Sequence, residues 1–269
     1  MIRIVVLAPI HTSVYSRLVV HLAAQEADME VAGVIVRTPW SWTRIRSELR
    51  RDGARLVQKV INKWLLADEK PRGEEATESL AALAQQADLP RGTLKDVCAS
   101  HMIPYHIVKD HNDIQSLIVL DKIRPDVIAF TGGGLIRKDV LSIPSIGVLN
   151  CHSGMLPRYR GMDVVEWTLA EDRFDQVGQT LHLMDSGVDT GPILLQRRLE
   201  LHPGDTIASI RTRLEARMPL LMLEGLRGLR DETLRPQLQR PEDGRQYFVM
   251  HPRLRAAVER KLAERNSIN

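Results

Sequence analysis

Residues 2–36 read IRIVVLAPIHTSVYSRLVVHLAAQEADMEVAGVIV, and their pattern decides the fold class. Ile2 to Ala8 is an apolar, largely β-branched run, the mark of a strand buried on both faces. Helical spacing follows over 15–27 through Leu18, Val19 and Leu22, and 31–36 is a second apolar run. Strand, helix and strand in this order open a parallel sheet with right-handed crossovers. The first loop, Ala8-Pro9-Ile10-His11-Thr12-Ser13, carries no glycine. A pyrophosphate therefore cannot approach the backbone as it does in dinucleotide-binding proteins, which argues against NAD and FAD. Within that loop Thr12 or Ser13 is expected to cap the helix, with a substrate contact as the alternative.

Further along, helical segments are predicted over 78–87 and 93–100, a strand over 105–108, a helix over 113–123 and a strand over 126–130. Strands over 147–150, 179–184 and 193–199 follow, with helices over 163–170, 207–226 and 252–263. The expected fold is α/β, with a doubly wound, mostly parallel sheet. Trp42, Ile45, Leu49, Leu56, Val60 and Trp64 step at helical intervals, so residues 40–76 read as an inserted basic helical segment and linker. The expected division is one α/β domain over 1–230, which includes that insertion, and a helical C-terminal extension over 231–269.

The 269 residues, 43% hydrophobic and 26% charged, lie in the range of chains that fold around a core. Two cysteines, Cys98 and Cys151, supply neither a disulfide framework nor a metal quartet, so reduced thiols and a cytoplasmic location are expected. No stretch approaches the roughly 20 apolar residues of a spanning helix, and no membrane span is predicted. Net charge is +3, but between Trp40 and Lys63 seven basic residues stand against two acidic ones. A nucleic-acid partner usually needs a broader basic face, so a solvated helix face, or contact with an anionic small molecule or membrane, ranks ahead of it.

The chemistry concentrates later in the chain. Gly132-Gly133-Gly134 follows a strand, where glycines let the backbone pass close to a flat ligand or take positive φ. Asn150 and His152 sit two residues apart on a strand, so both side chains point to one face and can converge on one small atom. An amide donor and an imidazole there suit an oxyanion developing on a carbonyl carbon. Met184-Asp185-Ser186-Gly187-Val188-Asp189-Thr190-Gly191 offers two carboxylates to orient that imidazole, and the bare chemistry allows either Asp185 or Asp189.

Asn150-Cys-His152-Ser-Gly-Met-Leu-Pro157, Tyr159-Arg160-Gly161, Gly178-Gln-Thr180-Leu-His182 and Asp189-Thr-Gly-Pro-Ile together resemble the folate-dependent formyltransferases. That group includes glycinamide ribonucleotide transformylase, methionyl-tRNA formyltransferase and the sugar N-formyltransferases. The resemblance implies a sheet of the formyltransferase type, catalytic Asn150, His152 and Asp189, and no metal. It thereby selects Asp189 over Asp185. It implies 10-formyltetrahydrofolate as co-substrate, with the pterin held by Gly134, Leu135, Ile136, Met184 and Asp185, and Thr180 and His182 in support. Asn150 and a protonated His152 would donate to the oxyanion, with Asp189 keeping His152 charged and, directly or through water, removing the amine proton. The implied function is N-formyl transfer to the amine of a small acceptor, phosphorylated or nucleotide-linked, such as an amino sugar. A homodimer is compatible with it. Formyl-tRNA synthesis is not expected, because that branch adds a sizeable basic C-terminal domain. The alternatives are a formyltetrahydrofolate hydrolase of the same fold and a non-enzymatic binding module.

Overall fold

The computed structural model describes residues 1–38 and 78–268, and the expected helical insertion and linker over 40–76 lie outside the described residues. Along the described chain run β1 (Ile2–Ala8), α1 (Val14–Ala24), β2 (Met29–Arg37), α2 (Leu80–Gln86), α3 (Leu94–Ser100) and β3 (Tyr105–Val108). Next come α4 (Ile114–Ile123), β4 (Val127–Phe130), α5 (Lys138–Leu141), β5 (Gly147–His152), β6 (Tyr159–Gly161) and α6 (Val164–Ala170). The described chain closes with β7 (Gly178–Leu183), β8 (Ile193–Arg198), α7 (Ile207–Arg230), β9 (Arg245–Tyr247) and α8 (Pro252–Ile268).

Seven strands form one sheet in the order β3-β2-β1-β4-β5-β7-β8. The pairs from β3 to β5 are parallel, whereas β5–β7 and β7–β8 are antiparallel, so the sheet is mostly parallel as its sequence indicates. Alternation along β1 explains why it reads as continuously apolar. Ile4 and Val6 pack with α1, α3 and α7 on one face, while Val5 and Leu7 pack with Leu120 of α4 and Val140 of α5 on the other. Burying each such side chain contributes about 1.5–3 kcal/mol.

Three features depart from the sequence reading. Strand β5 continues two residues past the 147–150 run to His152, where the polar-pair reading places it, because His152 lies opposite Thr180 in the β5–β7 ladder. Helix α7 runs to Arg230, whose guanidinium holds Asp231 and the Ala27 carbonyl. Strands β6 and β9 form a separate two-stranded parallel sheet that was not expected. Each has three residues, too short for a period-two pattern to register. Beyond Arg230 the chain returns to the body of the molecule, burying Met250, Val258 and Leu262 with Val165, Leu169 and Leu214. No described helix is long and apolar enough to cross a membrane.

Candidate active site

The parallel ladder ends where the antiparallel one begins, and that seam carries the polar residues. On β5, Asn150 and His152 point to one face, and β7 sets His182 opposite Asn150 and Thr180 opposite His152. Asp189 follows β7 in a glycine-rich loop at φ 54°, in the left-handed region. Thus the structure brings Asn150, His152 and Asp189 together.

Each polar atom at the seam has an identifiable partner. The His152 ring donates from Nε2 to the Tyr159 carbonyl at 2.8 Å, while Nδ1 faces Asp189 Oδ2 at 3.5 Å. Asp189 Oδ2 also accepts from the Gly161 N–H at 2.9 Å. His182 Nδ1 donates to the Leu183 carbonyl at 2.9 Å, and its Nε2 lies 3.1 Å from Asn150 Nδ2. That same Nε2 lies 3.6 Å from Asp189 Oδ1. An amide nitrogen has two hydrogens, so Asn150 keeps one for a ligand after bonding His182.

The charge state follows from burial. Removal from water pushes the His152 pKa below the ordinary imidazole value, and although Asp189 and the Tyr159 carbonyl oppose the shift, they do not reverse it. Burial thus works against the charged imidazole that the resemblance implies. Burial would raise Asp189, but the His182 and His152 imidazoles and the Gly161 N–H outweigh it and hold the carboxyl below its usual range. A neutral His152 with Nε2–H committed to Tyr159 presents a basic Nδ1 beside an ionised carboxylate, which is the geometry of a proton acceptor.

Local sequence explains the inward-facing ring. A Cβ at Gly154 would come within 2.8 Å of both His152 Nε2 and the Tyr159 carbonyl, so the Ser153-Gly154-Met155 turn makes room for that bond. Thr180 Oγ1 fixes the same turn, donating to the Gly154 carbonyl at 2.7 Å and accepting from Leu156 N at 3.1 Å. Asp185 acts differently from Asp189: its Oδ1 accepts from Gly187 N at 3.0 Å and from Thr190 Oγ1 at 2.7 Å, closing the turn.

Two hollows flank the seam. One, of about 780 Å³, is lined by Gly134, Leu135, Ile136, Met184 and Asp185, all five residues expected to hold the pterin, together with Asn112, Arg137 and Val188. Such a volume suits a drug-sized ligand. Gly132, Gly133 and Gly134 all take positive φ there. Asn112, missed in the sequence, bonds the Leu135 carbonyl at 2.9 Å and the Arg137 N–H at 2.6 Å, fixing the wall from a different loop. The second hollow, about 330 Å³, is lined by His152 and Ser153, by Gly161 to Val165, and by Arg211, Leu214 and Glu215 of α7. Its α7 residues carried no local signal, since they read as one face of a long helix.

Several other candidates take structural places. Ser13 caps α1, accepting from Ser16 N at 3.2 Å. Cys98 and Cys151 are free and buried, and burial pushes the Cys98 thiol up to about 12 and Cys151 upward as well, so neither is a thiolate near neutral pH.

The chain is also similar to known proteins. The family model described as formyl transferase matches residues 2–226. A methionyl-tRNA formyltransferase from Pelobacter propionicus is 32% identical over 173 residues, covering 60% of this chain and 53% of the relative. The chain thus spans about half the length of the curated relatives it matches. Among solved structures, glycinamide ribonucleotide transformylase 1 from Symbiobacterium toebii superposes with a TM-score of 0.56 at 19% identity, over 89% of this chain and 95% of that one. A sugar 3N-formyltransferase solved in the presence of dTDP and 5-N-formyl-THF gives 0.54 at 13% identity, over 92% of this chain and 70% of that one. These two likenesses concern the fold.

Proposed function

The chain belongs to the formyl transferase family, and from that premise we propose that it moves a formyl group from 10-formyltetrahydrofolate to the amine of a small acceptor. The observation that carries this reading is the placement of His152 Nδ1 3.5 Å from Asp189 on the strand that also presents Asn150. In this reading residues 1–230 supply the catalysis and 231–269 extend it. The 780 Å³ cleft takes the folate, its flat apolar walls being Leu135, Ile136, Met184 and Val188. The smaller hollow beside His152 takes the acceptor.

As the acceptor nitrogen bonds to the formyl carbon, Asn150 donates its remaining amide hydrogen to the formyl oxygen, where negative charge develops. His152 Nδ1 takes the proton that the attacking amine must lose, and Asp189 stabilises the imidazolium so formed. The same proton then passes to the folate nitrogen as its bond to the formyl carbon breaks, which returns His152 to its neutral state. An amino sugar, free or nucleotide-linked, is the acceptor we favour, because Asp163, Arg211 and Glu215 give the smaller hollow hydrogen-bonding groups suited to a polyol.

The test is a screen of nucleotide-linked amino sugars, free amino sugars, amino acids and methionyl-tRNA with 10-formyltetrahydrofolate, reading a mass gain of one formyl group. An amino sugar gaining that mass supports the reading. Formylation of methionyl-tRNA instead would move the acceptor to that of the curated relatives. Formate released with no acceptor would identify a hydrolase, and absence of turnover together with absence of folate binding would leave a binding module.

A further inference from the structure

Strand β6 joins both halves of the reacting pair. Its first residue, Tyr159, supplies the carbonyl that holds His152 Nε2, and its last, Gly161, supplies the N–H that holds Asp189 Oδ2. Wherever β6 sits, it sets the distance between the imidazole and the carboxylate. Its partner in the two-stranded sheet is β9, from the segment beyond Arg230.

Contact between those strands is close. Gly161 takes φ 96°, and a Cβ there would lie 2.2 Å from the Tyr247 carbonyl, which also accepts from Met162 N at 3.1 Å. The Tyr247 ring stacks on Tyr159 with centroids 5.5 Å apart, and its hydroxyl donates to Glu171 at 2.7 Å. Arg160 reaches back to the Gly244 carbonyl at 2.5 Å. The same segment grips the carboxylate loop separately. Gln237 and Ile193 exchange backbone hydrogen bonds of 2.8 Å, and Gln239 Nε2 donates to the carbonyls of Asp189 at 3.1 Å and Gly191 at 2.5 Å. Two carbonyl partners fix which end of that amide faces them. Asp189 sits at positive φ, a conformation that a non-glycine residue keeps only where its surroundings hold it.

We infer that residues 237–247 are a positioning strap for the catalytic pair, with Gln239 holding the Asp189 backbone and β9 holding β6. The inference rests on the proposed roles of His152 and Asp189, yet Gln239 touches neither reacting group and is a positioning residue.

Its test needs no acceptor. Gln239→Leu and Gln239→Met both remove the donor, and Met keeps the unbranched shape should Leu disturb packing. The His152 ring is titrated by nitrogen-detected NMR in each, with 5-formyltetrahydrofolate calorimetry as a check on the larger cleft. Because Asp189 opposes the downward shift of His152, loosening the carboxylate is expected to lower the His152 midpoint further, by about half a pH unit, with folate affinity within twofold of the parent. A strap that serves stability alone would lower the melting temperature and leave the titration where it was. An unchanged His152 midpoint in both folded variants overturns the inference, whatever the formyl-transfer screen returns.

Discussion

The two hollows beside the seam are assembled in different ways. The larger draws its wall from two contiguous stretches, Gly134 to Lys138 and Met184 to Val188, with Arg37 and three residues of the β3–α4 connection behind them. The smaller gathers side chains from the end of β5, the start of α6 and the first turns of α7. Its charges are closed by ion pairs far apart in the chain: Arg211 binds Asp163 at 2.9 Å and Glu166 at 2.8 Å, and Arg255 approaches Glu166 at 3.6 Å. A site built from loop backbone follows from local sequence, whereas one built from paired side chains exists only after the tertiary fold has brought them together.

The sharpest way to break this contrast is at the seam, where His152 lines the smaller hollow. His152→Ala and Asp189→Asn are each expected to leave the fold intact and to slow formyl transfer about a hundred- to a thousandfold, equivalent to roughly 3–4 kcal/mol of transition-state stabilisation. Steady-state turnover alongside circular dichroism checks both. Near-parental turnover in either folded variant would remove the pair from the mechanism.

The same contrast explains what could be read from the sequence. The βαβ opening and the polar pair on β5 were legible, because each is local and periodicity marks it, whereas Gly134, Leu135, Ile136, Met184 and Asp185 came through the family resemblance, with only the glycine run as a local sign. The resemblance chose Asp189 over Asp185, and the structure shows a physical difference between them: Asp185 spends its Oδ1 on a turn while Asp189 faces two imidazoles. The charge of His152 was not legible, since it depends on burial that only the packed fold creates. Nor was the β6–β9 sheet, whose strands are 84 or more residues apart and three residues long. The glycine of Tyr159-Arg160-Gly161 was the one available hint that a backbone passes close by.

The next effect in size sharpens the smaller hollow. Glu166 is wholly buried, and Arg211 is 38% exposed. Glu166→Gln keeps an acceptor for Arg211 but removes the buried negative charge facing it, and is expected to cost about 2–3 kcal/mol, less than for a fully buried pair because water reaches the guanidinium. Urea unfolding measures this. Folate affinity, belonging to the other hollow, is expected to stay as it was, and a parallel loss of folate binding would show the two hollows to be one cooperative unit.

A somewhat smaller effect belongs to the larger cleft and depends on pH. Under its glycine loop, His111 bonds the Ala8 carbonyl at 3.1 Å. Burial, reinforced by Arg37 beside it, pushes its pKa down to about 4. An unfolded chain binds that proton near pH 6.5 and the native one only near 4, so native stability falls as pH drops through this window. At pH 5 the loss from this residue is about 2 kcal/mol. His111→Gln, which keeps a donor for Ala8, is expected to flatten the dependence between pH 7 and 5, as read by urea midpoints. An equal slope in the variant would assign the acid sensitivity to other groups.

The smallest effect decides whether the loop after β1 belongs to either hollow. Ser13 accepts from Ser16 N at 3.2 Å, its Oγ lies 2.9 Å from Ser16 Oγ, and Ser16 Oγ lies 2.7 Å from Thr131 Oγ1. Thr131 completes the chain by donating to the Leu7 carbonyl at 2.8 Å. The hydroxyl of Ser13 is therefore spent on the first turn of α1 and on a buried chain of hydroxyls, with its oxygen turned to the helix. As an N-cap it is worth about 1 kcal/mol, so Ser13→Ala is expected to lower stability by that amount. A substrate contact would behave otherwise: the acceptor KM would rise while stability stayed nearly level. Measuring the urea midpoint and the KM on one preparation separates the two, and a raised KM at unchanged stability would carry the acceptor across the sheet to the loop that the glycine-free sequence had set aside.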